Sequence, residues 1–236
     1  MTEWLDWARG PAFRASVLIM VLGIARILLL NLNNIATTIR RSKKNQRQVP
    51  WGQIIAQTFK WTFPVKKSLE RKAIFSLTSI LFHICIIVTP IFLAAHIMLW
   101  ERGVGVGWPS LGPLAADYLT LLAIASGLAL FAQRVGSPSS RAISRTSDFI
   151  LPILILLPFV SGYLAMHPWL NPFDWNSTMF VHVMGGNLVF LAVPFTKISH
   201  VALFPLTQLV GELGWHLTPG AGQKVAVALG KENEPI

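Results

Sequence analysis

Residues 81–100 read LFHICIIVTPIFLAAHIMLW, twenty positions without an Asp, Glu, Lys or Arg. A helix rises about 1.5 Å per residue, so such a run is long enough for the roughly 30 Å hydrocarbon core of a bilayer. It nevertheless carries two imidazoles, His83 and His96. A second run, TMFVHVMGGNLVFLAVPFTKISHVALF from Thr178 to Phe204, carries His182 and His200. Ionisable side chains at membrane depth are costly, and their default reading is function.

The rest of the chain fits that setting. Of its 236 residues 53% are hydrophobic and only 13% charged, which excludes an ordinary soluble domain of this size. Five spans are expected, at about Ala15–Leu32, Ile74–Trp100, Leu114–Phe131, Phe149–Ala165 and Thr178–Phe204. Irregular backbone is unfavourable in lipid, so each span is expected to be a helix. The fold class is an all-α, five-helix transmembrane bundle. It comprises residues 1–206, with a long basic loop at 37–72, followed by a tail at 207–236 expected to be a short extension. Met1–Ala15 lacks the basic start of a cleaved signal, and the apolar run after it is long enough to span.

The net charge of +10 lies between spans, so topology explains it and no nucleic-acid partner is implied. Ten cations join the first two spans: Arg40, Arg41, Lys43, Lys44, Arg47, Lys60, Lys66, Lys67, Arg71 and Lys72. The third connection holds Arg134, Arg141 and Arg145, and the tail Lys224 and Lys231, whereas the second connection has only Arg102 and the fourth no cation. Positive charge stays inside, so the N-terminus is expected outside and the C-terminus in the cytoplasm. Trp100, Trp108, Trp169 and Trp175 then form an outer interfacial belt. The basic loop also holds Trp51, Phe59, Trp61 and Phe63, which suit anionic headgroups or a cytoplasmic docking partner.

The four histidines pair by depth. On an ideal helix His182 and His200 share a face about 27 Å apart, and His83 and His96 lie about 20 Å apart along the axis. The two helices run antiparallel, which matches His96 with His182 toward the outside and His83 with His200 toward the cytoplasm. Each pair can grip a haem iron from both sides, an arrangement that exchanges electrons and leaves no position for oxygen. The metal ligands are therefore expected to be His83, His200, His96 and His182, holding two b haems. Thirteen residues turn an ideal helix about 1300°, which takes His83 and His96 off one face; Pro90 between them is expected to kink the helix. Without a CxxCH there is no c-type attachment, and without CxxC clusters no iron–sulfur centre in this chain. Cys85 alone makes no internal disulfide.

Gly185 and Gly186 can admit a porphyrin close to the backbone, or simply another helix. Arg102, Arg134 and Lys197 are placed for propionates, with membrane anchoring the ordinary alternative. Asp117 is a candidate for a quinone site, or a carboxylate facing water near a helix start. His167 and His216 are expected to be surface histidines.

These residues resemble a family, the gamma subunit of respiratory nitrate reductase, a five-span di-haem cytochrome b. HVMGGNLVFLAVPFTKISHVALFP, from His182, is similar to that family's His-x17-His segment and its FLxxPF[ST][KR]xxH core. LFHI at Leu81–Ile84 matches the start of its first ligand helix, and SGLALFAQRVGSPSSRAISRTSDFI, from Ser126, resembles its third span, SPxxRA loop and T-x-x-D entry. The likeness runs from about Ser79 to Pro205. It implies that His83 and His200 hold the cytoplasmic-side haem and His96 and His182 the outer one. The chain departs in having the second span's histidines three residues further apart, and LAADY (Leu114–Tyr118) where the family has a lysine near its outer quinol site. Its long basic loop is closer to subunits of heterodisulfide-reductase-like and sulfate-reducer transmembrane complexes.

The expected function is a membrane-anchoring cytochrome b subunit in a prokaryotic inner membrane. It passes electrons between menaquinone or ubiquinone and partner iron–sulfur or multihaem cytochrome subunits. The alternatives are a partner of a periplasmic multihaem cytochrome c, or a non-redox transporter or assembly protein.

Overall fold

Among the described residues the apolar runs are helical and no strand forms. A bilayer offers the backbone no hydrogen-bonding partner, so each crossing must satisfy its own peptide groups. The computed structural model describes residues 2–44, 49–62, 65–217 and 220–233. Arg47 and Phe63 of the basic loop lie outside them. Helix α1 (Thr2–Trp7) leads through a π-helical turn, Ala8–Ala12, into α2 (Phe13–Lys44). There follow α3 (Trp51–Thr62), α4 (Val65–Phe92), α5 (Ala94–Val104), α6 (Pro113–Gly136) and α7 (Pro138–Ile143). The remainder are α8 (Ser147–Met166), α9 (Trp175–Ala192), α10 (His200–Leu217) and α11 (Ala221–Ala228).

Five stretches are long and apolar enough to cross a membrane: Thr2–Arg41, Lys72–Phe92, Pro113–Gly136, Ser147–Met166 and Trp175–Phe195. The chain is a multi-pass helical membrane protein on length and composition. At most 22% of each span's apolar window is buried, so most of its side chains present outward, as a lipid-facing helix requires.

Two expected spans are interrupted. The second is not one helix to Trp100: it stops at Phe92, Leu93 is extended (φ −71°, ψ 126°), and α5 restarts at Ala94. Pro90 removes one helical donor, and the break at Leu93 frees the carbonyls of Pro90, Ile91 and Phe92. The fifth is not one helix to Phe204. It ends at Ala192, passes through 3-10 turns at Val193–Phe195 and Lys197–Ser199, and restarts at His200. Pro194 opens the first turn, and extended Thr196 caps the second with its hydroxyl accepting from Ile198 N–H at 3.3 Å. The 27 Å single-face geometry of His182 and His200 therefore does not hold, because no continuous helix joins them.

The chain divides into two compact units, Met1–Leu18 with Val65–Leu191 and Ile19–Pro64 with Ala192–Ile236. In the first, α6 packs on α4 and on α8. Gly127 permits this: a Cβ there would lie 2.7 Å from Leu156 Cδ2 and 2.9 Å from Phe82 Cε2. Asn187, in α9, is buried and satisfied, donating to Ala8 carbonyl at 3.0 Å and lying 3.2 Å from Ser16 Oγ. Asp174 opens α9 by accepting from Ser177 N–H at 2.9 Å, and hydrogen bonds from Ser177 hold its carboxyl below the usual carboxylate range.

In the second unit, α3 packs on α10 around a core of Ile35, Ile54 and Leu213. Ile54 is fully buried and Leu213 nearly so. The segment after Leu206 is thus helical to Leu217 and supplies core residues, where sequence alone suggested a short extension. The basic loop likewise contains an ordered helix with an apolar face turned to its neighbour.

Candidate functional site

The break at Leu93 supplies the first element of the site. Each of its three freed carbonyls is taken up. His96 Nδ1 binds Pro90 O at 2.9 Å, Trp108 Nε1 donates to Ile91 O at 2.9 Å, and Leu111 N–H donates to Phe92 O at 2.9 Å. A carbonyl oxygen only accepts, so the hydrogen of a neutral His96 is on Nδ1 and its lone pair on Nε2. The adjacent Thr89 hydroxyl is buried without a partner among the described residues.

The second element comes from α8. His182 Nδ1 binds Pro158 O at 2.7 Å, which fixes the same tautomer. The ring reaches that carbonyl across Gly162, one helical turn on. A Cβ at Gly162 would lie 2.8 Å from both Cε1 and Nδ1 of His182. Gly185 is not a porphyrin cradle: its missing Cβ is where Leu157 and Pro158 pack, at 3.3–3.4 Å. Nothing lies within 4 Å of a Cβ at Gly186.

The two rings then face one another. His96 and His182 have centroids 6.0 Å apart and planes 25° apart. Rings in direct stacking contact are closer, as Tyr163 and His167 are at 4.0 Å. Two imidazoles bound to one metal ion through Nε2 at about 2 Å per bond have centroids about 6 Å apart, once the reach to each ring centre is added. The spacing, the tautomer and the carbonyl behind each ring are what a bis-imidazole metal centre needs; ligating histidines commonly hold a carbonyl with the other nitrogen. Among the described residues no three His, Cys, Asp or Glu side chains cluster, and a haem, which brings four nitrogens of its own, asks for only two protein ligands.

His83 and His200 belong to different units. Each has the same nitrogen engaged, His83 Nδ1 on Ser79 O at 2.7 Å and His200 Nδ1 on Lys197 O at 2.8 Å. Lys197 thus acts at this point through its carbonyl. Arg102 is exposed in α5, six residues beyond His96. Arg134 is half-buried and donates to Ser144 Oγ at 3.0 Å, tying the end of α6 to the turn before α8.

His167 is no surface histidine. It is 8% exposed, its Nδ1 binds Tyr163 O at 2.8 Å, and its Nε2 lies 3.3 Å from Asp117 Oδ2. Tyr163 stacks on it at 4.0 Å and Trp169 meets it edge-on at 4.9 Å. Asp117 therefore does not merely face water.

The chain is 28% identical over 207 residues to a protein of Nitratidesulfovibrio vulgaris (strain Hildenborough), covering 87% of this chain and 89% of that one; the relative's name states no activity. No protein-family model matches the chain, and no solved structure does.

Proposed function

We propose that the protein is the membrane-anchoring di-haem cytochrome b subunit of a prokaryotic respiratory complex. It exchanges electrons between a quinone and partner redox subunits. The observation that carries this reading is the His96–His182 pair, 6.0 Å apart with both Nδ1 atoms engaged by backbone carbonyls. His96 Nδ1 is taken by a carbonyl at the α4–α5 break and His182 Nδ1 by one on the neighbouring α8, so Nε2 is the nitrogen each ring has left for a metal.

A haem supplies an iron that carries one electron at a time. The protein's part is to hold and orient. His96 and His182 would ligate the outer haem. Pro90 and Pro158 carbonyls would keep those imidazoles in one tautomer and make them stronger ligands. With both imidazoles as ligands, such a haem would serve electron transfer rather than oxygen binding. The second pair, His83 with His200, is proposed from the sequence. Arg102, Arg134 and Lys197 remain the cations proposed for propionates.

The test is haem content. Pyridine haemochrome analysis of the purified chain should give two b-type haems, both reducible by dithionite. A chain without haem overturns the reading and leaves a non-redox membrane protein.

The orientation is proposed with it. Thr38 is exposed near the end of α2, and Cys85 is buried, so a Thr38→Cys variant carries one accessible thiol. A membrane-impermeant maleimide should label it in inverted vesicles and not in intact cells. Labelling from outside reverses the topology.

A further inference from the structure

We propose that Asp117 and His167 form the proton acceptor for quinol oxidation beside the outer haem. The inference rests on the quinone-linked di-haem reading and adds the chemistry of one site to it.

The first argument is the hydrogen count. Tyr163 carbonyl accepts from Nδ1, so the hydrogen of a neutral His167 is on that nitrogen. Nε2 then presents a lone pair to Asp117 Oδ2 across 3.3 Å. A carboxylate only accepts as well. The gap is a hydrogen bond only when it holds one further proton. The pair is thus built to hold a single proton between an imidazole and a carboxylate.

The second argument is position. The contact of Gly162 with His182 and the imidazole of His167 lie on one stretch of chain, five residues apart. Five residues of helix rise about 7.5 Å and turn about 140°, so the acidic pair lies beyond the His182 contact at the same end of α8 and round its side. The third is access. The His167 side chain is 10% exposed and that of Asp117 41%, so the imidazole is enclosed while the carboxylate opens outward. Tyr163 and Trp169 wall the imidazole with aromatic surface, suited to a flat, apolar ring.

The step balances. A quinol gives up two electrons and two protons to become a quinone. The electrons would be taken up one at a time by the haem that His96 and His182 are proposed to hold. One hydroxyl proton enters the Asp117–His167 gap, later leaving by the open side of Asp117; the other hydroxyl proton goes to water at the same surface.

The experiment uses the full-length protein in its native membrane. The probe is 2,3-dimethyl-1,4-naphthoquinol, and the readout is the rate of haem reduction. Asp117→Asn and His167→Ala should each slow it by about 100-fold or more, the usual worth of a positioned base, while dithionite still reduces both haems. The double variant should be no slower than the singles, because the two share one proton. Added imidazole should restore His167→Ala, which a packing role would not allow. A wild-type rate in either variant, or a loss that imidazole leaves unchanged, overturns the proposal. Should His167→Ala bind less haem, His167→Gln and Asp117→Asn carry the test: slow reduction with both haems present supports it, and a wild-type rate refutes it. A wild-type chain that holds no haem fails the underlying reading instead, and is told apart by its spectrum.

Discussion

Gly162→Ala is expected, on the proposed di-haem reading, to lower the haem content from two per chain to one. The new Cβ would stand 2.8 Å from two atoms of the His182 ring. Real carbon contacts do not come that close, so the ring or the helix must move. The ring has little freedom, because its Nδ1 is tied to Pro158 O at 2.7 Å on α8, the helix that carries Gly162. Retreat breaks that bond and moves the ring from its place 6.0 Å from His96. Alanine is otherwise about 1 kcal/mol better than glycine in a helix interior, so a loss cannot be charged to helix propensity. Gly186→Ala is the matched control. It adds the same methyl where nothing lies within 4 Å and should keep both haems. Pyridine haemochrome analysis reads the pair directly, and equal haem in Gly162→Ala and wild type would refute the geometry given for His182.

His96→Ala and His182→Ala are expected to remove the same haem. Either variant should retain one haem per chain, and the double variant should still retain one. The reason is the 6.0 Å pairing: once one imidazole is gone the other has no partner across the metal. On the pairing proposed from the sequence, His83→Ala and His200→Ala should each remove the other haem. If His96 and His182 served different haems, the double variant would lose both. Dithionite difference spectra of the four single variants and the two doubles decide between these patterns.

Much of this was legible in the chain itself. Five apolar runs are helices able to cross a membrane, because length and absence of charge are properties of the sequence. The match of His96 to His182 followed from depth, and the two rings stand 6.0 Å apart. What could not be read was the local backbone. Pro90 announced an interruption, yet the helix yields at Leu93, where the restart suits the carbonyls that His96, Trp108 and Leu111 bind. The Pro158 carbonyl and Gly162 were invisible as ligand supports, since both look like ordinary members of an apolar helix and the contact spans 24 residues. His167 was misjudged as a surface histidine because it stands just past an apolar run, whereas Tyr163 and Asp117 enclose it. The role of Leu213 was hidden for a similar reason: a tail looks loose until its partner helix is known.

Both histidine-bearing segments are interrupted between their two histidines, at Leu93 between His83 and His96 and at Thr196 between His182 and His200. In an unbroken helix, each inserted residue would rotate everything beyond it by about 100°. An interruption resets that phase. Residues added or lost between the two histidines then alter the length of the connector and leave each imidazole aimed as before. Each histidine-bearing half is also free to drift in sequence without dragging the other out of alignment, so on the proposed reading two redox centres could be tuned as separate instruments.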